Sequence, residues 1–209
     1  PLYIIDRGDQ ELSRVDILFS AGKVQERQPL TAKFTAAMLR EGASGLSSAY
    51  IAEKLDYYGT TLQTLATQRN TYITLYSANR YFFDILPLLC KLVVSPDFPE
   101  EEFRTLKERN RQALSVDLMK VNVLASRIFS EQLFGAENPY GKSEQLADYD
   151  TLTTAHLREF HSRYYTAEQC RIVLSGRITP EMKAAVKETF AAVPSRSESE
   201  RFLFPAIHS

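Results

Sequence analysis

The chain has 209 residues, enough for one domain or at most two, and its 44% hydrophobic and 24% charged composition is that of a globular polypeptide rather than a disordered or fibrous one. Its 25 basic and 26 acidic side chains leave a net charge of -1, which argues against a nucleic-acid partner held by bulk charge. Two cysteines, Cys90 and Cys170, allow one disulfide at most and exclude a disulfide scaffold or an all-cysteine metal site. No run reaches the eighteen or so apolar residues of a membrane span, so no membrane partner is expected, and no basic-then-apolar leader opens the sequence. It begins at Pro1 without an initiator Met, as a processed or excised fragment would, and no cellular compartment is assigned.

Residues 2–5 and 15–21 read as short strands that the Gly8-Asp9 pair turns into a hairpin. In the second, Val15, Ile17 and Phe19 alternate with Asp16, Leu18 and Ser20, the period of a half-buried strand, and Gly22 marks its end. Pro29 precedes Leu30, Phe34, Ala37, Met38 and Leu39, whose spacing predicts a helix with one core-facing side. Residues 42–45 interrupt that period, after which Ser47 or Ser48 caps a helix over 49–58 and Gly59 ends it. Residues 62–66 and 71–78, rich in β-branched and aromatic side chains, predict a second hairpin. A helix over 81–94 carries Phe82, Ile85, Leu86, Leu89 and Val93, with Pro87 able to bend it and Pro96 and Pro99 to stop it.

Glu100 opens an acidic first turn, suited to the positive end of a helix, and apolar periodicity runs on to Phe134. One long helical arm is the main expectation, with a break near Ser115 or Asn122 allowed because the span far exceeds the average helix. Beyond the loop at 138–141, helix is expected over 154–165, strand over 171–175, and helix over 180–193 with Pro180 at its first position. Without strict strand–helix alternation the expected class is α+β, an antiparallel sheet packed against helices. A single domain is expected over 1–194. The tail 195–209 is polar and then apolar, and Phe202, Leu203, Phe204 and Pro205 either dock or continue as a linker to a missing domain.

Familiar catalytic motifs are absent. The three histidines, His156, His161 and His208, form no His-x-x-Glu-His, and there is no nucleophile elbow, dinucleotide loop or phosphate loop. His156 and His161 lie five apart on one predicted helix and point about 140° from each other, so surface roles are expected for both. The runner-up reading joins one of them to remote acids in an assembled metal site. Cys90 and Cys170 have no histidine neighbours and are expected to pack. The Glu100-Glu101-Glu102 run is explained by the helix start, and Lys107, Glu108, Arg109 and Arg111 by solvation. Arg127 and Glu131 have the spacing of a helical ion pair. No catalytic, cofactor-binding or metal-ligating residue is assigned.

The order of several segments carries more. Residues 15–22 lead to 29–38, then 42–59, the 71–78 strand, and Ser95-Pro96-Asp97-Phe98 before the long helix. Asn138-Pro139-Tyr140-Gly141, residues 160–165 and Val173-Leu174-Ser175-Gly176 follow. In this order, over nearly the whole chain, the sequence resembles one domain of the mitochondrial-processing-peptidase and pitrilysin family of zinc peptidases, the insulinase family. Active members carry His-x-x-Glu-His in a segment like 32–38, and the positions matching ligand, base and ligand are here Lys33, Ala36 and Ala37. Alanine offers neither lone pair nor general base, and lysine is ordinarily a charged ammonium. The family's downstream acidic ligand falls in the region like 113–115, which holds no carboxylate, while Glu108 resembles the accompanying acid.

The resemblance therefore implies an inactive peptidase homologue that needs no cofactor. Its expected partner is a homologous active or inactive peptidase domain, covalently attached or separate, and an extended peptide is a further candidate. Phe19, Leu62, Leu65, Tyr72 and Tyr76 are candidate peptide contacts on a sheet face or edge, although ordinary core or sheet-face packing is the leading account of each. A stand-alone structural domain is the third reading.

Overall fold

The computed structural model describes residues 1–196. Strands β1 (Leu2–Asp6) and β2 (Leu12–Phe19) lead into helix α1 (Thr31–Met38), and a minimal hairpin, β3 (Gly42–Ala43) and β4 (Leu46–Ser47), leads into α2 (Ser48–Tyr57). Next come β5 (Thr61–Ala66) and β6 (Thr71–Ala78), then α3 (Phe82–Val94), α4 (Glu100–Asp117) and α5 (Val121–Phe134). The short α6 (Asp148–Thr151), α7 (Thr154–Tyr164), β7 (Cys170–Gly176) and α8 (Pro180–Thr189) complete the described chain. The capping signals are realised: the Ser47 hydroxyl accepts from the Tyr50 amide at 3.3 Å, and Thr179 does the same for Met182 with Pro180 next to it.

The main sheet has the order β1-β7-β2-β6-β5. The class is α+β, but the hairpin expected from the first two strands does not form. β7 inserts between them, parallel to β1 and antiparallel to β2, so the sheet is mixed rather than wholly antiparallel. The connection from Asp6 to Leu12 is long enough to step over the ~10 Å that an inserted strand occupies, whereas a two-residue turn at Gly8-Asp9 would have forced direct pairing. Gly176 permits the close fit at that seam: its φ is +119°, and a Cβ there would lie 2.2 Å from the Leu12 carbonyl oxygen. The second predicted hairpin is present, β5 and β6 pairing antiparallel from Thr61 opposite Tyr76 to Ala66 opposite Thr71.

Alternation along β2 buries Ser13, Val15, Ile17 and Phe19 on one sheet face. Helix α3 covers that face with Phe82, Ile85, Leu86 and Leu89, α8 closes it with Met182 and Val186, and Pro87 sits on the exposed side of α3. A second cluster joins Phe34 and Met38 of α1 to Phe103 and Leu106 of α4 and to Tyr149 and Leu157. Helix α1 belongs to both, because Ala32 and Leu39 pack in the first. The single apolar stripe read from its sequence is thus two contacting sides. The Ser95-Pro96-Asp97-Phe98 segment locks α3 to the small hairpin: Pro96 bridges Ala43, the Asp97 carboxylate accepts from the Gly45 amide at 2.8 Å, and Phe98 is buried.

The long arm is two helices. α4 ends at Asp117, Leu118 to Lys120 form a turn, and α5 restarts at Val121, between the two breakpoints allowed from sequence. Residues 195 and 196 are tied down by the Glu168 carboxylate, which accepts from the Ser195 hydroxyl and the Arg196 amide. Phe202, Leu203, Phe204 and Pro205 lie outside the described residues. Among the described residues no helix is long and apolar enough to cross a membrane.

Candidate functional site

Helix α1 starts under strain. Its cap residue Leu30 has a φ of 71°, a left-handed conformation that costs a side-chain-bearing residue on the order of 1 kcal/mol or more, and it has no polar side chain to cap with. The Glu26 carboxyl supplies the acceptor instead, taking the Ala32 amide proton at 2.8 Å. That hydrogen bond, the Leu30 amide and the Lys23 ammonium favour the ionised form, but burial outweighs them and pushes the Glu26 pKa up to about 7. Burial likewise lowers the Lys23 pKa, against the attraction of Glu26 and Glu144.

The positions that match the family's zinc motif lie one and two turns further along α1. Lys33 is exposed, and its Nζ is 3.1 Å from Oε2 of Glu144 in the loop after α5. Ala36 is buried in the core and Ala37 partly so. On α4, Ala113 is exposed, Leu114 is buried, and the Ser115 hydroxyl donates to the Gln112 carbonyl at 2.7 Å. Two methyl groups and an ion-paired ammonium are not zinc donors, so these residues do not fit the metal. Glu108 is exposed on the same helix.

Beside Lys33 opens a cavity of about 630 Å³, between the start of α1, the β5–β6 turn and residues 137–148. Its walls carry both charge signs: Lys23, Lys33 and Lys142 face Glu26, Glu144 and Asp148. The Oε1 of Gln68, a residue of this wall, is buried without a hydrogen-bond partner among the described residues. Ala66, the last residue of β5, lines the same cavity, so the outermost strand of the sheet runs directly to its mouth.

The five candidate peptide contacts separate. Phe19 and Leu62 are core residues, Phe19 stacking on Tyr165 with ring centroids 4.6 Å apart. Leu65 and Tyr72 face each other across β5 and β6 on the uncovered side of the sheet, and Tyr76 shares that side beneath the Arg14 guanidinium. One histidine differs from expectation. His161 is buried rather than on the surface, with Nε2 2.8 Å from the Val93 carbonyl and its ring against Phe98 and Tyr165. Its pKa is lowered by burial, partly offset by that hydrogen bond, so the ring is a neutral core group. The Nδ1 of His156 lies 2.9 Å from the Thr153 hydroxyl at the start of α7. The assembled-metal reading therefore loses His161 to the core.

Cys170 is buried and Cys90 half-buried, its thiol donating to the Thr189 carbonyl at 3.2 Å. The acidic run is engaged at the α4 start, where Glu100 accepts from the Thr154 hydroxyl. Arg127 donates to the Glu144 carbonyl. Among the described residues no group of three His, Cys, Asp or Glu side chains is placed to hold a metal. Sequence reasoning missed Glu26, Gln68 and Glu144, which meet only through contacts between segments far apart in the chain.

The sequence profile described as the peptidase M16 inactive domain matches residues 151–208. The fold is similar to the crystal structure of a peptidase M16 inactive domain from Pseudomonas fluorescens, with a TM-score of 0.90 at 23% identity over 98% of this chain and 51% of that one. A protease from Helicobacter pylori gives 0.82 at 14% identity, over 99% of this chain and 50% of that one. The first half of the periplasmic protease PqqL from Escherichia coli gives 0.80 at 15% identity, over 98% of this chain and 46% of that one. No curated protein sequence matches the chain. The chain spans about half the length of these solved structures, and at such identities the likeness is one of fold.

Proposed function

We propose that this chain, peptidase M16-like in fold and inactive-domain-like in its C-terminal sequence, is a noncatalytic unit of a peptidase-like assembly that pairs with a homologous unit and retains extended peptide without cleaving it. One observation carries the reading: where active family members hold zinc, α1 presents Ala36, Ala37 and a lysine paired with Glu144. A homologous partner is supported by length, since this chain accounts for about half of each similar solved chain. Peptide retention is supported by the free edge of β5 leading to the cavity at Ala66, with Leu65 exposed beside it.

Zinc titration of the purified chain is expected to give no stoichiometric binding, and an unstructured fluorescent peptide is expected to bind and stay intact. Leu65→Glu should weaken that binding by about tenfold, roughly 1.4 kcal/mol, without moving the unfolding midpoint. Zinc-dependent turnover that disappears on substitution within α1 overturns the noncatalytic reading; binding indifferent to Leu65→Glu overturns the β5 edge as the peptide site.

A further inference from the structure

We draw no further inference here: the strongest candidate, the exposed apolar face of helix α5 that carries Leu124, Ile128, Phe129 and Leu133, supports none because nothing in the structure shows what covers it.

Discussion

Helices α3 and α5 are 13 and 14 residues long and both carry an apolar side, yet six residues of α3 are buried and none of α5 is. The difference lies in direction. The apolar side of α3 faces the sheet, whereas the side α5 turns to the protein is the one with Arg127 and Ser130. Periodicity reports that a helix has an apolar side and is silent about which body that side is for. The strongest way to break the comparison is paired truncation. Leu89→Ala in α3 should cost about 2–5 kcal/mol in urea unfolding, while Phe129→Ala in α5, measured in dilute solution, should stay within about 0.5 kcal/mol. Equal losses at the two sites would mean that α5 is part of this unit's own core.

A smaller effect separates two titratable groups held by the same cause, burial, with opposite consequences. The folded-state pKa of His161 is lowered, so the stability it contributes is complete above its ordinary value of 6.5 and is lost as pH falls through the folded value. The Glu26 pKa is raised from 4.5 to about 7, so its contribution is complete below 4.5 and is lost as pH rises through 7. His161→Gln should therefore flatten the acid side of the stability profile, whose slope from one proton is at most about 1.4 kcal/mol per pH unit. Glu26→Gln keeps an acceptor for the Ala32 amide and should gain about 1–2 kcal/mol at pH 8.5 while gaining almost nothing at pH 4. Denaturant midpoints across pH 4–9 check both, and parallel profiles for wild type and Glu26→Gln would show that the carboxyl is solvated.

Most strands and helices were legible because their signals are local. Ser47, Thr179-Pro180 and the period-two pattern of β2 act over a few residues, and each appears as read. The pairing of β1 with β7 was not legible, since it joins Leu2 to Ile172 and no turn residue encodes a partner so far along the chain. His161 reads as polar from its identity, but a neutral imidazole that satisfies the Val93 carbonyl beside two aromatic rings is a good core residue. That Lys33, Ala36 and Ala37 offer no zinc donors could be read in one segment through the family resemblance. The cavity beside them could not, because Gln68, Glu26 and Glu144 reach it from three separate segments.

The smallest expected effect concerns the ion pair at Lys33. Lys33 and Glu144 form the ion pair that ties α1 to the loop after α5, and both side chains keep substantial contact with water. Solvent screens such a pair and its side chains lose rotamer freedom on pairing, so Lys33→Met should change stability by no more than about 0.5 kcal/mol, with any difference shrinking at high salt. A metal linking the same two segments would contribute far more, because its binding energy adds directly to folding. Urea midpoints of wild type and Lys33→Met at low and high ionic strength measure the difference. A salt-insensitive loss above about 1.5 kcal/mol would mean that the pair is a buried structural clasp. A negligible loss would leave α1 held by its two apolar sides and by the Glu26 carboxyl at its start.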